Sequence, residues 1–348
     1  MFPVRKSTFL GLLSISFFVA NTLAAGVFVT ALVVARLVPV AGWQRLCADW
    51  LTFVAETWIA INNLNQEWTQ PTRVRVSGLD GLRRDGRYLL LSNHRSAVDI
   101  VVLQRVLNRR IPLLRFFIKR QLIWVPVLGL AWWALGFPFM RRHSRAFLDR
   151  HPEQAGADLR TAREACVRLA DRPLTLVNFV EGTRWTPSKH QRQGGPYRHL
   201  LQPKAGGTAA AVAALGSQLD AVLDVTLHYP GGSPSLLDLF FGRVPEIVLQ
   251  VQALPVPEPE LATAYVEHAN QREPFVRWLD GLWRGKDGVL AAHIDGGDGA
   301  RDRDEEYSDA PAAGILVALT RTQAPVSSDE QASVAPARAA FARTAATR

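Results

Sequence analysis

The stretch LLLSNHRSAVDIVVL, Leu89 to Leu103, decides how the chain is read. It opens as an apolar run, turns through a polar corner at Asn93, His94, Arg95 and Ser96, then resumes as a second apolar run with Asp99 set into its start. That succession predicts a buried strand leading directly into a helix. A histidine leaving the strand stands at the rim of a sheet. If Ser96 caps the helix, Asp99 falls in the first turn, where its carboxylate can face back to the imidazole, fix the tautomer and stabilise the imidazolium formed on proton uptake. The same letters also spell S-x-x-D, in which Asp99 merely favours a helix N-terminus. His94 and Asp99 are thus a candidate general base and its orienting partner, with a plain helix cap as the competing reading.

Outward from this corner the pattern is that of an α/β domain beginning near Pro71, with short apolar runs separated by helical patterns. TRVRVSG and RYLLLSN predict strands on either side of a turn at Arg84 to Gly86, SAVDIVVLQRVLNR a helix and LLRFFIK a strand. LIWVPVLGLAWWALGFPFM is an apolar run of 19 residues, long enough to suggest a second span; Pro126, Gly129, Gly136 and Pro138 favour instead a buried or interfacial helix that stops and turns into a short strand. Further on, DLRTAREACVRLAD and TAAAVAALG predict helices, LTLVNFV, AVLDVTLHY and EIVLQVQAL strands, and REPFVRWLDGLWR a closing helix.

Upstream lies a different kind of segment. From Ser7 to Ala35 there are 29 residues without a charge, more than the roughly 20 a bilayer core requires and about twice a signal peptide's apolar region. One tilted helix or a re-entrant pair bending near Asn21 and Thr22 both fit the length. Trp43, Leu46, Trp50, Leu51, Val54 and Trp58 then recur at helical spacing, as in an amphipathic helix at the membrane interface or one packed on a core. The expected organisation is an anchor and interfacial helix over 1–62, a catalytic domain over 63–294, and a disordered tail over 295–348, where aromatics and periodicity fade. The formal net charge of +9 favours anionic partners. Cys47 and Cys166, far apart and without companions at ligand spacing, indicate neither a disulfide framework nor a zinc site.

A second polar corner follows the strand LTLVNFV. Glu181, Gly182, Thr183 and Arg184 supply an acceptor, a residue that lets backbone approach a ligand, a hydroxyl, and a guanidinium suited to a phosphate or carboxylate fork; an ordinary strand-to-loop turn is the alternative. Both corners lie in a basic field: nine Lys or Arg and no acid between Ile100 and Leu148, and five more without an acid between Gly182 and Leu219. Such a field suits an anionic headgroup or a phosphorylated cofactor. No G-x-S-x-G elbow and no G-x-x-x-x-G-K-[ST] loop occurs. His143, His190, His199 and His228 have no carboxylate or Cys at ligand spacing and read as surface or structural.

Taken in order, NHRSAVD, KRQLIWVPVLG, GFPFMRR and FVEGTR resemble the glycerolipid acyltransferase family that includes lysophosphatidate acyltransferase, marked by an NHxxxxD block followed by EGTR. The resemblance covers Arg73 to Leu254. It implies a mixed sheet flanked by helices, the glycerol-3-phosphate acyltransferase-like arrangement, behind a membrane-anchoring helical segment. It also implies transfer of an acyl chain from acyl-CoA to a lysophospholipid hydroxyl without a covalent acyl-enzyme, lysophosphatidate giving phosphatidate. His94 would be the base and Asp99 its partner. Lys119, Arg142 and Arg184 would hold the acceptor's phosphate, and Glu181 and Gly182 would shape its pocket, with Asn93 and Thr183 among the substrate-binding residues. Many members carry an acid where this chain has Arg141, so Arg141 or Arg142 is the phosphate ligand; the proline usual in the later strand is absent from AVLDVTLHY. Acyl-CoA is expected as co-substrate, with no cofactor, no metal and no nucleic-acid partner. Since CoA thioesters arise in the cytosol, the expected place is the cytoplasmic face of a bacterial inner membrane. Lysophosphatidylglycerol or lysocardiolipin as acceptor, and a non-catalytic module binding anionic lipid, are the rival readings.

Overall fold

The uncharged opening of the chain folds as a single helix. In a computed structural model, which describes residues 3–140, 155–167, 172–295 and 305–306, helix α1 runs from Pro3 to Ala35. Its stretch from Thr8 to Ala35 is 28 residues with a mean hydropathy of 2.2, long and apolar enough to cross a membrane. Of the two arrangements open from sequence, the bent pair does not form. Thr22 satisfies its hydroxyl within the helix by donating to the Phe18 carbonyl (2.8 Å), and Asn21 donates across to helix α2 (Ala41–Thr69), to the Trp58 carbonyl at 3.0 Å and Asn62 Oδ1 at 2.9 Å. With Trp43 Nε1 donating to the Ala35 carbonyl and Asn65 Nδ2 to the Ser14 carbonyl, the two helices are antiparallel. Such cross-helix bonds are the way apolar helices satisfy polar side chains away from water.

Helix α2 answers to both sequence readings at once. Leu51 and Cys47 are buried, while Trp43, Leu46, Trp50 and Phe53 are exposed. It continues to Thr69, past the anchor boundary expected at residue 62, because its second half docks on the following domain: buried Glu56 receives Arg84 at 2.5 Å, and Asn108 Nδ2 donates to the Glu56 carbonyl at 3.0 Å.

The domain continues with β1 (Arg73–Ser77), β2 (Arg87–Ser92), α3 (Val98–Leu107), β3 (Leu114–Phe116), β4 (Ile118–Lys119), a 3₁₀ turn (Arg120–Trp124), α4 (Leu128–Ala134) and β5 (Phe139–Met140). Then come α5 (Ala155–Val167), β6 (Leu174–Phe179), α6 (Pro187–Gln193), α7 (Ala205–Leu215), β7 (Ala221–His228), α8 (Leu236–Phe240), β8 (Glu246–Leu254), α9 (Pro259–Glu267), α10 (Glu273–Asp295) and β9 (Glu305–Glu306). The main sheet has the order β3-β6-β2-β7-β8-β1-β9. Strands β3, β6, β2 and β7 are parallel to one another, β8 runs antiparallel to β7 and parallel to β1, and β9 is antiparallel to β1. The sheet is therefore mixed.

One expectation is corrected here. LLRFFIK is not one strand: the chain leaves the main sheet after β3, and β4 pairs with β5 in a separate two-stranded sheet. The long apolar run does stop and turn into the short strand β5, as its prolines and glycines favour, though its helix is only seven residues after a 3₁₀ turn: a Cβ at Gly129 would sit 2.0 Å from the Ile123 carbonyl oxygen and Val127 takes φ +64°. The tail expected from residue 295 lies outside the described residues except at Asp295, which ends α10, and at Glu305–Glu306, which form β9.

Alternation along the strands divides the core into two layers. Leu90, Leu223, Val225 and Leu227 face α3, whereas Leu89, Leu91, Leu174 and Leu176 face α7, α9 and α10. Each such side chain, fully buried, contributes about 1.5–3 kcal/mol relative to exposure. Because β2, β6 and β7 are parallel, the segments that follow them emerge along one edge of the sheet, the place where open α/β sheets bind ligands.

Candidate active site

Strand β2 ends at Ser92, and the next two residues are fixed by its neighbours. Asn93 spends its whole amide on β7, Nδ2 donating to the Leu227 carbonyl (2.8 Å) and Oδ1 accepting from the Leu227 N–H (2.9 Å). The His94 N–H donates to Glu181 Oε2 at 3.1 Å, and the His94 carbonyl accepts from the Trp185 N–H at 2.7 Å. The backbone of His94 is thus held on both sides by the corner after β6.

Helix α3 then turns Asp99 back to the ring. His94 Nδ1 lies 2.8 Å from Asp99 Oδ2, which also accepts the N–H groups of Arg95 (2.7 Å) and Ser96 (2.9 Å). Asp99 Oδ1 accepts from the Tyr229 hydroxyl at 2.7 Å. The contact with the Ser96 N–H imitates one half of a capping box, but the N-cap of α3 is Ala97 and carries no side-chain cap bond, so the plain-cap reading is not met. The serine itself does not complete the box: its hydroxyl accepts from the Val98 N–H at 3.0 Å and donates to the Pro234 carbonyl. A carboxylate bonded to Nδ1 sets that nitrogen as the proton carrier and leaves Nε2 with its lone pair. The imidazole is stacked on Phe179, with centroids 4.0 Å apart and planes 16° apart, and 17% of the side chain is exposed. A ring held on two sides with its free nitrogen within reach of an incoming hydroxyl is equipped for general base catalysis.

The second corner supports the first more than it faces a ligand. Glu181 and Asn93, expected in the acceptor pocket, have no exposed surface. Glu181 Oε1 accepts from the Leu201 N–H at 3.1 Å while Oε2 holds His94, and burial pushes this carboxyl up to about 7. Both residues therefore position backbone and do not line the cleft. Gly182 adopts φ +65°, and a Cβ there would lie 3.0 Å from the Lys204 side chain. Thr183 Oγ1 accepts from Lys189 Nζ at 2.8 Å, as does the Arg184 carbonyl, while the Arg184 side chain is exposed. Lys119 is exposed at the end of β4. Arg142, like Arg141 and His143, lies outside the described residues.

Residues 73–229, from the first strand of the sheet to the tyrosine bonded to Asp99, match the acyltransferase family. Over these residues the chain is similar to that family. The 1-acyl-sn-glycerol-3-phosphate acyltransferase gamma of Mus musculus is 29% identical over 185 residues, 49% of this chain and 43% of that protein. The probable 1-acyl-sn-glycerol-3-phosphate acyltransferase 5 of Arabidopsis thaliana is 28% identical over 261 residues, 71% of this chain and 63% of that protein. The chain thus spans about half the length of these relatives. A solved structure, the 1-acyl-sn-glycerophosphate acyltransferase of Thermotoga maritima, overlaps with a TM-score of 0.45 at 18% identity, covering 79% of this chain and 98% of that one.

Several residues of this site escaped the sequence reading. Tyr229 lies 130 positions from Asp99 and Phe179 lies 85 positions from His94, and each meets its partner only through strand order. Arg95 stacks over Trp185 at 4.6 Å and donates from Nη2 to the His199 carbonyl (2.8 Å), tying the two corners to the loop before α7; burial lowers its pKa. The one available signal was position: each of the three strands ends in an aromatic or polar residue just where the parallel edge opens.

Proposed function

We propose that the protein is a membrane-bound acyltransferase moving an acyl chain from acyl-CoA to the free hydroxyl of a lysophospholipid, with lysophosphatidate as acceptor and phosphatidate as product. The observation that carries this is the 2.8 Å contact between His94 Nδ1 and Asp99 Oδ2 at the open edge of the sheet. His94 Nε2 takes the proton of the acceptor hydroxyl as its oxygen attacks the thioester carbonyl carbon. The tetrahedral intermediate collapses with cleavage of the C–S bond, and the imidazolium returns the proton to the CoA thiolate. No protein nucleophile is consumed. Proton transfer of this kind contributes about 10²–10⁴-fold, and holding the acceptor in register supplies further acceleration. Arg184 and Lys119, both exposed and cationic, with Arg142, hold the acceptor's phosphate. Helix α1 and the exposed tryptophans of α2 support a site at a bilayer surface, which we assign to the cytoplasmic face of a bacterial inner membrane. That these relatives are 1-acyl-sn-glycerol-3-phosphate acyltransferases supports the acceptor class.

The test is transfer of labelled acyl groups by the purified protein in detergent across a panel of lysophosphatidate, lysophosphatidylglycerol and lysocardiolipin. His94→Ala is expected to reduce transfer by at least about 10²-fold with lipid binding retained. Equal activity of wild type and His94→Ala, or no transfer to any acceptor, overturns the proposal; preference for another acceptor replaces lysophosphatidate within it.

A further inference from the structure

We propose that Tyr229 is a positioning residue for acyl transfer, setting the orientation and basicity of Asp99 and through it the proton affinity of His94; this rests on the reading of His94 as the base. Asp99 has no exposed surface, so its lone pairs find partners within the protein or go unsatisfied. Oδ2 is supplied by His94 Nδ1 and by the N–H groups of Arg95 and Ser96, all from the corner that carries the histidine itself. Oδ1 is supplied from a different strand, by the Tyr229 hydroxyl at 2.7 Å. A carboxylate bonded through one oxygen alone can rotate about its terminal torsion, which is broad. Bonded through both, it is fixed.

The donor is itself rigid. Tyr229 is 5% exposed within the core layer that faces α3, and it follows Leu227, whose N–H and carbonyl are clamped by Asn93. Burial and the neighbouring Asp99 raise the phenol well above its ordinary value, so it stays protonated and stays a donor. The other charged groups around the pair act differently. Glu181 bonds the His94 backbone, and the Arg95 guanidinium points to Trp185 and the His199 carbonyl, with Asp287 facing Arg95 from α10. None of them replaces the phenol on Oδ1.

Removing the hydroxyl leaves Oδ1 without that donor in a dry site. The carboxylate becomes more basic and holds the imidazolium more tightly, so the acid limb of activity moves to higher pH. For Tyr229→Phe the expected results are a fall in kcat of roughly tenfold to a hundredfold, unchanged KM for donor and acceptor, and an acid limb shifted upward by roughly one unit, the scale of one lost hydrogen bond to a charged group. Site-specific 3-fluorotyrosine at position 229, a stronger donor of nearly the same shape, is expected to shift the limb downward, and it carries the test if the phenylalanine variant does not fold. In parallel, the pH dependence of His94 modification by diethyl pyrocarbonate, followed by mass spectrometry without substrate, is expected to move in the same directions. Limbs and labelling profiles that coincide in wild type and both variants, with only thermal stability altered, overturn the inference. A wild type inactive on every acceptor sinks the acyl-transfer reading, while the labelling profiles still decide the role of Tyr229.

Discussion

Glu181 uses both carboxylate oxygens on backbone N–H groups, one of them that of the proposed base, in a site with no exposed surface. Burial outweighs those bonds and raises its carboxyl from the ordinary 4.5 to about 7. A raised carboxyl favours the native state in its protonated form, so its contribution to stability is fully present below pH 4.5 and is lost as the pH rises through about 7. Glu181→Gln cannot ionise and is expected to flatten the dependence of the melting temperature on pH across that window, as measured by thermal unfolding in detergent; an unchanged slope refutes it. Glu181→Ala leaves two buried N–H groups bare, at about 1–3 kcal/mol each, and should lower kcat as the His94 backbone loosens. Sequence alone exposed the chemistry of this residue but not its direction. His94 and Asp99 were legible because five positions of chain and one helical turn join them, whereas the roles of Glu181 and Asn93 depend on which strands flank β2.

Helix α10 is tied to the sheet by a charge on its buried face, in step with Phe275, Leu279, Trp283 and Leu290. Lys286 is 1% exposed, with Nζ 2.7 Å from Asp224 Oδ1 and 2.5 Å from the Val225 carbonyl. Burial lowers its pKa, while Asp224 acts in the opposite sense. Lys286→Met should destabilise by about 3–5 kcal/mol because it leaves Asp224 without its cation, and Lys286→Met with Asp224→Leu should recover most of the loss. Cys47 and Cys166 are both buried, so their reactivity toward a thiol dye reports the unfolding. Equal losses in the single and double variants would remove the pair from the account. Elements with a clean period, such as β2, β6, β7 and α3, were legible from sequence. The break inside LLRFFIK was not, because Phe117 donates to the Val177 carbonyl of the main sheet while Ile118 turns to the Pro138 carbonyl, a choice made by neighbours distant in the chain.

At the scale of the molecule the question is whether α1 is a tether or part of the fold. A tether touches its domain only at the point of attachment, yet α1 is in contact along most of its length. Near its start a Cβ at Gly11 would meet the Phe241 ring at 2.5 Å, and Phe18 meets Phe240 edge-on with centroids 5.4 Å apart. Near its end Gly26 lies against Val127, where a Cβ would be 2.6 Å from Cγ1, and Val29 joins Leu51 and Ala134 in one cluster. The Val127 turn is itself strained, a β-branched residue at φ +64° closed by a 2.7 Å bond from the Leu128 N–H to the Pro126 carbonyl, and the packing of α1 helps hold it. Removing residues 1–35 would also strip partners from the buried amides of Asn62 and Asn65. The shortened chain is therefore expected to aggregate on size-exclusion chromatography in detergent and to expose Cys47 to thiol reagents, and Gly26→Val in the full chain to lower the melting temperature. A monodisperse shortened chain with full transfer activity would make α1 a tether and nothing more.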